Sequence, residues 1–459
     1  MEFFEIIAQY AENLWFFGGV FILVLSTLVF VHEWGHYYVA RLCGVKVEIF
    51  SIGFGPEIWG INDKNGTRWK FSLIPLGGYV KMFGDTDPAS ASNTDNVKEG
   101  EEVRPMTDSE RKEAFFSQAV WKRAAVVFAG PAINFLFAIV IFAGLYGFYG
   151  QPVTPPMASA IIVDSAADKA GFEPHDKIIS IDGRNIKRFE DIRRIVTVSL
   201  DKPLSVVIDR NGTEEVLNVT PERLVMTDRF GFSHSRGMLG IIGPGQGIAV
   251  DNIIAVNGRP VDNSKSRRQA LINAMDKPSI IQLDRGEEID ALKINALSAL
   301  NNGIIDNDTE KSKGLVVADR ADSTVIKHGV IGGVVAASEE TWRLTNATLT
   351  SIGQIFTGMR SAKELGGIIR IGAITGDMAQ QGIIAVVTLM ALLSINLGLI
   401  NLFPVPMLDG GHLVFYAIEA AKGSPVPEKA QEYAFRVGFV LLIGLMLFAN
   451  INDIIQLVM

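Results

Sequence analysis

The chain has 459 residues, a mean hydropathy of +0.26, 48% hydrophobic residues and a formal net charge of −8. That average is high for a soluble protein and low for membrane spans alone, so spans and soluble domains are both expected. The negative charge offers nothing to nucleic acid, and a single cysteine, Cys43, excludes an internal disulfide, a thiolate metal cluster and a dithiol redox pair.

Region 1–44 opens "MEFFEIIAQYAEN", with three glutamates and no Lys or Arg. A secretory signal needs a positive start and a small-residue cleavage site. The apolar run from about Leu14 to Ala40 is therefore expected to be a retained transmembrane helix, since about 20 such residues cross a bilayer core. It carries "VHEWGH" near its end. His32 and His36, four apart, share one helix face. Two imidazoles so placed can grip one Zn2+ at roughly 2.0–2.1 Å, with Glu33 beside them as general base. The bland alternative is a helix end with chance polar residues. Ionisable groups are costly at the end of a span, which favours a functional reading.

Region 45–85 alternates in polarity and contains "DKNG", a hairpin turn signal, so membrane-associated β-strands are expected at 45–82. Non-helical backbone at that depth needs protein or a water cavity to satisfy it. Region 86–123 is read as a cytoplasmic stretch: a polar flexible loop over 86–110, then an amphipathic helix in "DSERKEAFFSQAVWKRA". A second, uncharged span follows at 124–150. Residues 41–123 carry twelve Lys and Arg, whereas the stretch before the first span has none. The positive-inside rule puts that loop in the cytoplasm and both termini outside, along with the long middle region.

The middle region repeats itself. "DKIISIDGRNI" at 176–186 recurs as "DNIIAVNGRPV" at 251–261, and "DKP" at 201–203 recurs at 276–278. Two tandem α+β domains are expected, at 151–225 and 226–320. The segment "DSAADKAGFEPHDKIISIDGRNI" resembles the PDZ domain of bacterial membrane-linked proteases. The second copy lacks the Ala-Gly segment but is preceded by "GMLGIIG", a candidate carboxylate-binding loop. Region 321–377 is read as an interfacial helix and connector, because "GVIGGVVAAS" is too short to span. Region 378–412 is the third transmembrane segment, ending "NLFPVPMLDGGHL", and 413–459 holds a loop and the fourth span. A catalytic zinc needs a third protein ligand. Asp409, after the helix-breaking Pro-x-Pro, and His412 both lie at the depth of the first span's motif.

"HEWGH", "GFGP", "AGPAINF" at 129–135, the PDZ-like pair and "NLFPVPMLDGG" together resemble the site-2 protease family, over nearly the whole chain. The resemblance implies a polytopic α-helical membrane protein with four transmembrane helices, a membrane-associated β-sheet and two PDZ-like domains between spans two and three. It implies one Zn2+ held by His32, His36 and Asp409, with Glu33 as catalytic base. Asn401 would contact the substrate backbone. Asn134 is a weaker substrate-binding candidate and could equally make a helix–helix hydrogen bond. The implied activity is intramembrane endopeptidase action on transmembrane segments of pre-trimmed single-span substrates, such as anti-sigma factors or remnant signal peptides, in envelope stress signalling. The implied location is the bacterial inner membrane, with the PDZ pair periplasmic and the active site facing the cytoplasm.

A membrane helix shields its carbonyls by internal hydrogen bonds, so cleavage requires unwinding. An edge strand within 67–82 is expected to hold the unwound segment by β-addition. Two other classes compete: a peptide-binding scaffold without catalysis, against which the retained Glu33 argues, and an ion transporter, against which the lack of an inverted repeat across the spans argues.

Overall fold

The computed structural model describes residues 2–84, 96–99, 102–228, 231–245, 248–284, 289–306, 314–318 and 325–458. Much of the expected flexible loop at 86–110 lies outside them. The described chain divides into two compact units, 1–147 with 329–348 and 365–459, and 148–328 with 349–364.

In the first unit, four helices are long and apolar enough to cross a membrane: Phe17–Leu42, Val120–Phe148, Ile383–Asn401 and Glu428–Leu457. The third is shorter than the uncharged run suggests. Gly382, at φ 105°, separates it from a preceding helix, Ile368–Gln380, because glycine alone adopts that backbone without strain. It ends at Asn401, and Asp409 opens a further helix, Asp409–Lys422, instead of closing the span. The fourth begins at Glu428, well before the purely apolar run. The stretch read as a short apolar segment plus an interfacial helix is one helix, Val330–Phe356. Its Ala337 and Leu344 pack with Ala138, Phe142, Ala391 and Ile395 of the second and third spans.

Two long strands, β1 (Val47–Asn62) and β2 (Arg68–Met82), follow the first span. They pair antiparallel beside the turn, from Asn62↔Arg68 to Glu57↔Ser72, and again at their far ends, from Val47↔Met82 to Ile52↔Gly78. Both double back where glycines take positive φ, Gly53 and Gly55 in β1 and Gly77 in β2. Residues 49–52 thereby also lie alongside 68–71, from Ile49↔Arg68 to Ile52↔Phe71. The sheet is four segments wide, in the order 57–62, 68–72, 47–52, 78–82. Segment 68–72 is thus interior, and 78–82 is an outer edge.

The "DKNG" turn fastens this sheet to the first span. Asp63 accepts from the amides of Asn65 (2.8 Å) and Thr67 (2.9 Å), from the Tyr37 hydroxyl (3.0 Å) and from the Trp69 indole (3.2 Å). Burial alone would raise its carboxyl pKa, but these donors outweigh it and hold Asp63 below the ordinary carboxylate range. Tyr37 follows His36 directly, so the turn is pinned beside the metal-seeking motif.

In the second unit the repeated sequences fold alike. Strand Lys177–Ile181, strand Arg184–Asn185, helix Phe189–Val198 and strand Leu204–Arg210 recur as Ile253–Val256, Arg259–Pro260, Ser264–Ala274 and Ser279–Asp284. Both tight turns carry a left-handed residue before glycine, Asp182-Gly183 and Asn257-Gly258, as a two-residue hairpin with this twist requires. Strand Ala160–Ile162 pairs with the second copy's Ile289–Ile294, while Ile161 packs in the first copy's core and Ala160 in the second's. One short strand thus joins both cores.

Candidate metal centre

The first span carries His32 and His36 one turn apart, each 8% exposed, with their Nε2 atoms 3.3 Å from each other. The second span crosses them closely because two glycines permit it. A Cβ on Gly35 would lie 2.5 Å from the Ala129 carbonyl oxygen, and one on Gly130 only 2.3 Å from His36 Nε2.

Asp409 reaches the same point from the start of its helix. Its Oδ2 lies 3.2 Å from His32 Nε2 and its Oδ1 3.6 Å from His36 Nε2. Gly410 and Gly411 let that helix start against the preceding loop, since Cβ atoms there would fall 2.3 Å from the Leu402 and 2.4 Å from the Val405 carbonyl oxygens. At its other end, Glu419 pairs with Arg123 at 2.6 Å, both largely buried, which ties the helix to the second span.

These atoms fit a zinc ion. Tetrahedral ligands at roughly 2.0–2.1 Å from a metal stand about 3.3 Å from one another, close to the separations of 3.2, 3.3 and 3.6 Å here. Asp409 Oδ2 is buried without a hydrogen-bond partner, a costly arrangement unless a cation satisfies it. His36 Nδ1 lies 2.9 Å from the Val126 carbonyl oxygen. It must donate there, which leaves Nε2 free to ligate.

Of the two candidates for third ligand, Asp409 converges on the histidines and His412 does not. The His412 ring packs instead near Phe435, centroids 5.2 Å apart. Asn401 lies at the cluster's margin, its Nδ2 3.4 Å from His32 Nε2. Asn134 is fully buried behind His32, its amide 2.9 Å from His32 Nδ1. It also makes the helix–helix hydrogen bond, because Ser394 of the third span donates to its backbone oxygen at 2.8 Å. Glu33 lies within electrostatic reach of both histidines and Asp409, and its side chain packs on the 78–82 edge, where a Cβ on Gly78 would fall 3.3 Å from Glu33 Cγ.

Sequence reasoning missed Ser394 and the Val126 carbonyl. A lone serine in an apolar span and a backbone carbonyl leave no readable mark. Gly130 was visible within "AGPAINF", but the ring it admits was not.

The peptidase family M50 profile matches residues 20–445. A protein of Agrobacterium fabrum named "Putative zinc metalloprotease" is 40% identical over 438 residues, covering 95% of each chain. The regulator of sigma E protease of Haemophilus influenzae is 34% identical over 97% of this chain and 99% of its own length. The protease RseP of Yersinia pestis is 33% identical over 96% of this chain and 98% of its own length. A family match across the four apolar helices, together with relatives of this coverage, leads to one assignment: the chain belongs to peptidase family M50 and is a zinc metalloendopeptidase of the site-2 protease type.

Proposed function

We propose that this protein cuts the transmembrane segments of pre-trimmed single-span substrates, anti-sigma factors foremost, in sigma-E-type regulated proteolysis at the bacterial inner membrane. The observation that carries the reading is the convergence of His32, His36 and Asp409 within 4.8 Å at the end of a span. Similarity to proteins named for sigma-E regulation supports the substrate class.

His32, His36 and Asp409 would hold the zinc. When bound, zinc supplies Lewis acidity that polarises the scissile carbonyl and lets water lose a proton near neutral pH. Glu33 takes that proton and delivers it to the leaving amine. Asn401 donates its amide to the substrate backbone at the ligand cluster's margin. The Lys and Arg of 41–123 orient this chemistry toward the cytoplasm.

The unwound substrate adds to the edge at 78–82, the outer segment that meets Glu33. The interior position of 68–72 makes it unsuitable for β-addition. Val80→Pro removes the amide at that edge and is expected to lower cleavage at least tenfold with zinc retained, measured on a trimmed single-span substrate. Equal cleavage by this variant would sink the β-addition idea.

The tandem PDZ-like repeats act as a size filter that turns away substrates with bulky outer domains. Strand Gln151–Pro152 pairs with Val325–Ile326, so the two ends of this insert are neighbours and 153–324 can be replaced by a short glycine linker. A filter predicts that the shortened chain cuts untrimmed substrates; a recruiting role predicts that it cuts neither form.

A further inference from the structure

The buried amide of Asn134 stands between His32 and Ser394, with three helices meeting at one point. Its Nδ2 is 2.9 Å from His32 Nδ1, and its Oδ1 is 3.4 Å from Ser394 Oγ. The two ends of an amide are nearly equal in size, and the hydrogen bonds around it decide which end faces which neighbour. Ser394 settles the question. Its single hydroxyl proton is committed to the Asn134 backbone carbonyl at 2.8 Å, in a site where both residues are fully buried. Toward the Asn134 side chain, Ser394 Oγ can then only accept. The amide must offer it the NH2 end, which turns the carbonyl end toward His32. A carbonyl facing Nδ1 requires the proton to sit on Nδ1, and Nε2, the atom facing Asp409 and His36, is left with its lone pair. In this orientation each buried polar group of the trio has a partner, as buried groups require. With the NH2 end toward His32, Nδ1 would have to accept, and the ring proton would fall on Nε2, where it would block a metal.

We propose that Ser394 and Asn134 are positioning residues that lock His32 in its Nδ1–H form and so keep Nε2 ready for zinc. The proposal rests on His32 being a ligand. His36 needs no such relay, because a backbone carbonyl, which cannot turn over, already holds its Nδ1.

The test is the zinc dissociation constant of the full-length protein in detergent, by competition with a coloured chelator, with the visible spectrum of the Co2+ form alongside. Second-layer partners of a metal-bound histidine are commonly worth about 10–100-fold in affinity. Ser394→Ala frees the amide to turn and is expected to weaken zinc binding about tenfold. Asn134→Leu is expected to weaken it by about 10–100-fold. Asn134→Asp offers only acceptor oxygens, so the double variant Asn134→Asp/Ser394→Ala is expected to recover the wild-type constant and Co2+ spectrum. A purely structural role would change the melting temperature without this rescue. Should Ser394→Ala fail to fold, Asn134→Asp alone still decides: it keeps zinc at wild-type affinity or better if the locking account holds. Unchanged affinity in Ser394→Ala and Asn134→Leu, with wild type binding one zinc, overturns the lock and leaves the ligand assignment standing. A wild-type protein whose single zinc survives His32→Ala overturns both.

Discussion

Replacing Glu33 with glutamine is expected to abolish detectable cleavage of a trimmed single-span substrate while one zinc per chain stays bound. Glutamine matches glutamate in size but cannot take a proton from water. General-base catalysis contributes about 10²–10⁴ in rate, enough to bring a slow intramembrane hydrolysis below detection. The measurement pairs cleavage in detergent with metal analysis of the same sample, and a chelator-treated wild type serves as the second control. If Glu33→Gln keeps more than a tenth of the wild-type rate, the base is another group. If it loses zinc as well as activity, Glu33 acts in holding the ligand cluster.

The second large effect comes from adding one methyl group. Gly130 is in the middle of a helix, where alanine is normally favoured over glycine by about 0.5–1 kcal/mol. Here the new Cβ would fall 2.3 Å from His36 Nε2 and 2.9 Å from His32 Cε1. Neither distance is tolerable, and the imidazoles can swing aside more easily than the helices can separate. Gly130→Ala should therefore fold and melt near the wild-type temperature in the presence of chelator. Its zinc affinity should drop by at least the 10–100-fold that follows loss of a ligand's orienting partner, and its cleavage should drop in step. The zinc-dependent rise in melting temperature, which reports binding to the folded state, would shrink accordingly. A Gly130→Ala protein with wild-type zinc affinity would mean that the rings do not ligate from the positions seen here. Gly35→Ala serves as contrast: its Cβ meets the Ala129 backbone at 2.5 Å, so the cost there is to helix packing and appears in the melting temperature itself.

Much of the site could be read before any coordinates. His32, Glu33 and His36 are local: their relation depends only on helical periodicity, and helix formation in an apolar run is forced by the need to satisfy backbone groups in lipid. The repeat at 176–186 and 251–261 was legible for a similar reason, since a tight turn with positive φ demands Asp-Gly or Asn-Gly in each copy. On the residues alone Asp409 and His412 both stood open, and the family resemblance favoured Asp409. The structure brings Asp409 to the histidines and sets the His412 ring near Phe435, a difference that a spacing of three does not reveal, since residues three apart share a helix face. The β-sheet was expected, but its folding into four segments was not. Glycines at 53, 55 and 77 mark where the strands double back, and the alternating pattern alone cannot distinguish a long hairpin from one folded on itself. That distinction makes 68–72 an interior segment and leaves 78–82, at the end of β2, on the outside.

The sequence by itself determined what each segment could be: four apolar runs able to span, a two-histidine grip with its base, a turn, and a pair of repeats. These depend on neighbours a few residues away, and short-range sterics and hydropathy suffice to specify them. Tertiary structure alone decided what surrounds that grip: the distances at which Asp409 stands from the histidines, Ser394 behind Asn134, Gly78 against Glu33, and Gly130 beneath the rings. Those contacts join residues up to several hundred positions apart, and they arise from close packing in which a single Cβ sets how near two helices can come.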